Sequence, residues 1–310
     1  MRVAVDTTPL LGRTTGVAQA VRGLLDALEG VDVARWTLTR GSVPVPPAVL
    51  VRLWSRFDRP NGDRWLPAAD VVHGTNFVVP PTRRPATVTV HDCWCARNPA
   101  ACAPTVRAAT STVGRAVRRG AWVHVSTNAV ADEVRERYVT DRVRVVPFGV
   151  PHVPDVAPAA RPPYLLALGD AGDRRKGIDV LVAAMGGVDD LELVRVGPDN
   201  WVDDDERAAL LRGATVLAYP SRHEGFGFPV LEAMSVGVPV VATAVGGIPE
   251  VAGDAAVLVA PDDVDALADG IRRAVADREH LIAAGRARAA TFTWDAHAGG
   301  MVELWREAIG

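Results

Sequence analysis

HEGFGFPVLE, from His223 to Glu232, sets two glutamates on either side of a glycine–aromatic hinge and a proline. The stretch is too apolar for a solvated loop and too broken for one helix. To its left, Ala214 to Tyr219 reads as a buried strand. To its right, Val230 to Val236 has helical character and is entered through Pro229. Proline suits a first helical turn, where its missing amide hydrogen costs nothing. The stretch is therefore a strand–loop–helix joint, with Glu224 in the loop and Glu232 in the helix. In a doubly wound α/β sheet such joints lie beyond the carboxyl ends of the strands, where ligands bind.

Working outward, the same alternation repeats. Strands fit Tyr164 to Gly169, Leu191 to Gly197, Val238 to Ala242 and Ala256 to Val259. Helices fit Ile178 to Ala184, Asp204 to Arg212, Val264 to Ala274 and Arg278 to Ala290. Apolar runs such as Val238-Pro239-Val240-Val241 suit parallel strands covered on both faces. The first half starts the pattern independently. Strands are expected at Arg2 to Asp6, Val33 to Leu38, Val71 to His73, Ala86 to His91, Trp122 to Val125 and Val143 to Val146. Helices are expected at Val17 to Leu28, Val106 to Val117 and from the Ser126-Thr127-Asn128 cap to Tyr138. Residues 41–69 are proline-rich and carry no assignment, and Pro44 to Pro47 reads as turn-like or extended. Six prolines between Pro147 and Pro163 mark a linker. The expected organisation is α/β, two doubly wound Rossmann-like domains at 1–155 and 156–292, with a packing helix at 293–310.

The 310 residues are 48% hydrophobic and 23% charged, enough for two cored domains and too apolar for disorder. No run is long and apolar enough for a membrane helix, and Met1-Arg2 leads straight into Val3-Ala4-Val5 without a secretory leader, so a cytoplasmic location is expected. Cys93, Cys95 and Cys102 match no common zinc spacing and are expected to be reduced thiols. Residues 1–155 hold 20 Arg and 13 Asp/Glu, a formal +7; residues 156–310 hold 14 Arg/Lys and 24 Asp/Glu, a formal −10. The basic half suits an anionic partner, including peripheral contact with the inner face of an anionic membrane. Nucleic acid is not expected, since there is neither a compact basic helix nor a zinc-finger spacing.

Four places carry candidate chemistry. Gly12 to Gly16 follows the first strand and opens a helix, a place for an anion, although such a loop is more often a plain tight turn. Gly169 to Gly177 follows the first strand of the second domain and contains Lys176, the chain's single lysine among 33 arginines. A compact ammonium beside the Arg175 guanidinium suits a diphosphate; the bland reading is a solvated charged turn. At the opening stretch, a diphosphate can lie near the Phe228 to Val230 amides, with Glu224 and Glu232 accepting from hydroxyls on either side of it. Against this stands a capping role for Glu232 and a surface role for Glu224. His91-Asp92 follows a strand and can donate to an anion or hydroxyl, though such a pair is more often structural. Asp203-Asp204-Asp205 reads as a helix cap rather than a metal site.

Pro220 to Met234 with Gly237-Val238-Pro239-Val240-Val241, then Gly246-Gly247-Ile248-Pro249-Glu250 and Gly253 to Ala256, closely resembles the retaining glycosyltransferase family four. Asp6 to Leu28 resembles its bacterial mannosyltransferase-like members; Val71 to Gly74, Val90-His91-Asp92 and Phe292-Thr293-Trp294 match too. The resemblance implies a GT-B fold with the two domains facing a central cleft, acceptor on the first domain and nucleotide sugar on the second, and a last helix crossing back to the first domain. It implies transfer of a mannose- or glucose-type hexose to a glycan, lipid-linked or small-metabolite acceptor, with retention, no metal and no cofactor. GDP-mannose is the favoured donor and a UDP-sugar the next.

Carried over by position, Arg175 and Lys176 take the donor diphosphate with Gly12, Gly16, Phe228 and Val230. The altered spacing from Asp170 to Lys176 leaves Arg174 or Arg175 as the phosphate partner. Glu232 takes the ribose; Glu224, Gly225, Phe226, Gly227 and His91 take the transferred sugar, with His91 at the reacting centre. A nucleotide-sugar epimerase or hydrolase, or a non-catalytic nucleotide-sugar-binding protein, are the alternatives.

Overall fold

The computed structural model describes residues 1–12, 15–39, 43 and 45–310. The chain divides into two compact units: Met1–Gly149 with Thr293–Gly310, and Val150–Phe292.

In the first unit, six described strands form one parallel sheet: β1 (Arg2–Asp6), β2 (Asp32–Trp36), β3 (Val71–Gly74), β4 (Ala86–Thr89), β5 (Trp122–Val125) and β6 (Val143–Val145), in the order β2-β1-β3-β4-β5-β6. Between them run α1 (Gly16–Ala27), α2 (Pro47–Phe57), the single turn α3 (Trp94–Arg97), α4 (Pro104–Arg118) and α5 (Asn128–Tyr138). The Thr127 hydroxyl caps α5, accepting from the Val130 amide. One face of the sheet packs Val72, Val88 and Val123 against Val113, Val130 and Val134. The other packs Val3, Val5 and Val71 against Leu24 of α1 and against Met301, Leu304 and Trp305. Strands buried on both faces need apolar residues at successive positions, which explains the unbroken valine runs.

The second unit orders its strands β11-β10-β9-β7-β8. These are β7 (Tyr164–Leu168), β8 (Glu192–Val196), β9 (Val216–Tyr219), β10 (Val240–Thr243) and β11 (Val257–Val259), again all parallel. Its helices are α6 (Ile178–Ala184), α7 (Asp204–Gly213), α8 (Phe228–Val236), α9 (Ile248–Ala252), α10 (Val264–Ala276) and α11 (Arg278–Ala289). Leu165, Leu217 and Val241 are fully buried, each contributing about 1.5–3 kcal/mol on transfer from water. The last helix, α12 (Trp294–Ile309), belongs to the first unit.

Two expectations are corrected. Pro46 and Pro47 do not hold an extended segment; they open α2, with Pro47 in the first turn and Leu50 and Trp54 buried beneath it. A missing amide hydrogen is harmless at that position, so a proline cluster can start a helix as well as break one. The three cysteines are not all free thiols: Cys95 and Cys102 form a disulfide. The α3 turn and the short 3₁₀ turn Pro99–Ala101 fold the chain back until the two Cα atoms are 5.9 Å apart, within disulfide reach. Cys93 stays free and buried, its thiol pushed up to about 12 by burial and by the neighbouring Glu133 and Asp92 carboxylates. No described helix is long and apolar enough to cross a membrane.

Candidate active site

The second unit gathers its candidate residues at the carboxyl ends of β7 and β9. After β7 the chain turns through Asp170 to Lys176, ending in the 3₁₀ turn Arg174–Lys176. Gly177 then has φ of +61°, and a Cβ there would lie 2.0 Å from the Pro220 carbonyl oxygen. Only glycine fits, and its absence of side chain lets the lysine turn press against the loop that leaves β9. Arg222 fastens the same joint from outside. Its amide donates to Arg175 O at 2.6 Å, and its guanidinium reaches Arg174 O, both oxygens of Asp179 and Asp262. These carboxylates raise the Arg222 pKa, while hydrogen bonds from Arg222 chiefly lower that of Asp179.

The result is an apposition of Lys176 and Glu224. The Lys176 Nζ sits 2.6 Å from Glu224 Oε1, which also accepts from the Ser221 hydroxyl at 2.8 Å. The ammonium lies 5.5 Å from the centre of the Tyr219 ring. Burial, with the Glu224 carboxylate nearby, holds the Tyr219 phenol protonated well above its usual range. Glu224 is gripped by its backbone too. Gly246 has φ of +52°, a Cβ on it would meet Glu224 O at 1.9 Å, and the Gly247 amide donates to that oxygen at 3.0 Å.

Glu232 sits one turn inside α8 and is buried, with Arg207 of α7 in contact with its Oε2. The N-cap of α8 is Gly227, so Glu232 is not the cap of its own helix. Gly227 opens α8 with φ of +91°, Pro229 lies in the first turn, and Phe226 and Phe228 meet edge to face. The Val230 amide donates to Gly227 O at 3.0 Å and so is already engaged. Arg175 folds back onto Asp173, its Nη2 2.6 Å from a carboxylate oxygen, and pulls the Asp173 pKa down against the effect of burial. Asp203 caps α7 by accepting from the Glu206 amide at 2.8 Å, as its sequence context predicted.

The remaining candidates lie in the first unit. His91 follows β4 and donates from Nε2 to Thr75 O at 2.9 Å, which fixes the tautomer with Nδ1 as acceptor. Burial lowers its pKa, so the ring is neutral. It stacks on Phe148 at 5.9 Å between ring centres. Gly12 is extended and exposed with open space where a Cβ would sit. Gly16 begins α1, whose cap is Thr15, accepting from the Ala18 amide. Of the Gly12 to Gly16 loop, Arg13 and Thr14 lie outside the described residues. Among the described residues no cluster of His, Cys, Asp or Glu could hold a metal ion.

Sequence reasoning missed Arg207, Arg222 and Tyr219 as parts of the site. Their partners are distant in sequence, and no local pattern marks them. Gly246 was visible as part of a motif, but its role as a seat for Glu224 was not.

Residues 200–288 match the family described as glycosyl transferases group 1. The chain is 45% identical over 99 residues to the O-antigen chain mannosyltransferase B of Escherichia coli, covering 31% of this chain and 26% of that protein. It is 39% identical over 121 residues to the MMP alpha-(1->4)-mannosyltransferase of Mycolicibacterium hassiacum, covering 37% and 29%. The chain thus spans less than a third of the length of these curated relatives. Whole-chain likeness comes from solved structures. A sucrose-phosphate synthase from Thermosynechococcus elongatus superposes with a TM-score of 0.74 at 22% identity, over 99% of this chain and 98% of that one. Anabaena HepE in complex with UDP-glucose superposes with a TM-score of 0.71 at 15% identity, over 99% and 100%. The chain has the GT-B fold, mannosyltransferases are among the proteins it resembles, and its residues 200–288 match the glycosyl transferases group 1 family.

Proposed function

We propose that this chain is a retaining glycosyltransferase that moves a hexose from a nucleoside-diphosphate sugar to a carbohydrate or small-molecule acceptor. The observation that carries this reading is the apposition of Lys176 and Glu224 on two loops locked by glycines. It brings a cation suited to a leaving diphosphate beside a carboxylate suited to sugar hydroxyls.

In this scheme the diphosphate draws Lys176 from Glu224, leaving the carboxylate to accept from the transferred sugar. Arg175, released from Asp173, joins Lys176 on the phosphates, and the amides opening α8 add their dipole. Glu232 takes the ribose and His91 the sugar at the reacting centre. The acceptor attacks on the face from which the diphosphate leaves, through an oxocarbenium-like state, and a phosphate oxygen takes its proton. Gly12 and Gly16 take part in holding the diphosphate. Two cationic side chains do the charge neutralisation, so the scheme calls for no metal.

The mannosyltransferase relatives favour GDP-mannose as donor; HepE with UDP-glucose keeps a UDP-sugar next. The formal +7 of residues 1–155 supports a peripheral site at an anionic membrane face.

The test is calorimetry with GDP, UDP, GDP-mannose and UDP-glucose in the presence of a chelator. Selective binding of one nucleotide family, weakened by Glu232→Ala, is expected. Folded protein that binds none of them ends the proposal, and release of free sugar without any acceptor-linked product would identify a hydrolase instead. Loss of transfer in EDTA, restored by magnesium, would overturn the metal-free scheme.

A further inference from the structure

We infer that the first unit holds a pocket for an apolar ring, the aglycone of the acceptor, between the carboxyl ends of β1 and β2 and the segment before β3. The cavity measures about 380 Å³, within the range of small-molecule sites, and is lined by Trp36, Thr37, Leu38, Trp54, Trp65 and Leu66 among others. It stands beyond strand carboxyl ends, where open α/β sheets bind ligands. Nothing in the scheme above uses it, although its assignment to an acceptor rests on that scheme.

The chemistry of the lining selects the occupant. No described lining residue is a carboxylate or a carboxamide, so the side chains that best accept from sugar hydroxyls are absent. Arg35 is the charged side chain of the described lining, and other polar atoms nearby are turned to the protein. The Trp36 indole donates to Ala4 O at 3.2 Å and the Trp54 indole to Pro60 O at 2.9 Å. The Thr7 hydroxyl donates to Trp36 O at 3.2 Å, and those of Thr37 and Thr39 bond each other at 3.2 Å. A saccharide, or the polar edge of a nucleobase, would find donors at Arg35 but no described side-chain carboxylate or carboxamide to accept from it, and its own donors would enter unmatched, a costly arrangement. A flat or alicyclic hydrocarbon ring would meet three indoles, a leucine pair and prolines, and would gain by leaving water.

The experiment titrates the full chain with 2-naphthol, methyl α-D-mannopyranoside and GDP, in wild type, Thr37→Phe and Trp65→Ala. Thr37→Phe fills the pocket from the strand end; Trp65→Ala removes one wall without adding bulk. Saturable naphthol binding, abolished by the first and weakened up to about tenfold by the second, with no mannoside binding, is expected. Absence of naphthol binding by folded wild type overturns the inference, as does naphthol affinity unchanged in both variants. Mannoside or GDP binding that Thr37→Phe removes would make this a sugar or nucleotide site and overturn it as well. GDP binding that survives both variants reports on the second unit alone, so the donor reading stands or falls separately. A last arm compares 2-naphthol with free mannose as acceptor; transfer to the sugar only, untouched by either variant, would sink the aglycone assignment.

Discussion

Lys176 Nζ and Glu224 Oε1 lie 2.6 Å apart although 48 positions separate them in the chain. Neither loop alone would hold this pair. The lysine turn is pressed home by Gly177 against Pro220 O, and the glutamate backbone by Gly246. An ion pair that closes only when two loops are seated is a switchable arrangement: in the proposed scheme an arriving diphosphate competes for the ammonium and frees the carboxylate. Lys176→Ala is therefore expected to lower turnover about 10²–10³-fold, the usual cost of losing one donor to developing charge. The pair is partly open to solvent, so melting should fall by only a few degrees. Steady-state kinetics beside thermal melts checks this, and equal loss of fold and activity would remove the catalytic role.

Arg207 and Glu232 make a different kind of pair. Glu232 is buried while Arg207 remains partly exposed, so the arginine serves a carboxylate with little contact with solvent. Arg207→Ala is expected to cost about 1–3 kcal/mol of stability, below the full penalty of a deeply buried pair because solvent can enter at the vacated side. Arg207→Lys should recover part of it, and nucleotide affinity should follow the same order. Urea unfolding of the three proteins, with nucleotide titrations, checks the ranking; an Arg207→Ala protein as stable as wild type would show that Glu232 does not depend on this partner.

Much of this was legible in sequence, for identifiable reasons. β1, β5 and α6 were found at their ends because apolar runs stop at polar or glycine-bearing joints. Glu224 and Glu232 were placed in loop and helix because Pro229 marks a first turn. α2 was missed because prolines at a helix start and prolines in an extended segment look alike, and only the buried Leu50 and Trp54 tell them apart. The Cys95–Cys102 bond was missed because pairing depends on how α3 reverses the chain, not on cysteine count. Arg222 escaped because its meaning is a set of partners at Arg174, Arg175, Asp179 and Asp262 that no spacing announces.

Gly246→Ala isolates the seating of Glu224. The added methyl would meet the Glu224 carbonyl oxygen at 1.9 Å, and the left-handed backbone at φ of +52° adds about 1 kcal/mol of its own. The loop must shift to relieve the clash, and Glu224 must move with it. The expected result is loss of transfer by at least 10²-fold, since a displacement of about 1 Å at a positioned group carries that cost. A nucleotide affinity changed less than tenfold would separate this effect from collapse of the unit. Full activity in Gly246→Ala would show that Glu224 does not need this seat.

The first unit should weaken in acid. His73, His91, His124 and His297 are grouped around Thr89 and Phe148, and burial lowers the pKa of all four, His73 to about 3 and His297 to about 4. The unfolded chain takes up these protons near 6.5 while the folded chain refuses them, so the stabilisation is whole above that pH and lost as pH falls towards 4. Asp6 acts oppositely. Burial lifts its carboxyl to about 6 against the Thr8 hydrogen bonds, so its share is whole in acid and lost as pH rises through 6. Four histidines outweigh one aspartate, and the urea midpoint should fall between pH 7.5 and 5. His297→Asn keeps a donor for Pro147 O, which His297 Nδ1 reaches at 2.9 Å, and removes one titrating group. Its pH slope should be shallower than wild type by up to one proton. A midpoint that holds steady or rises on acidification would mean that these rings are charged in the folded protein.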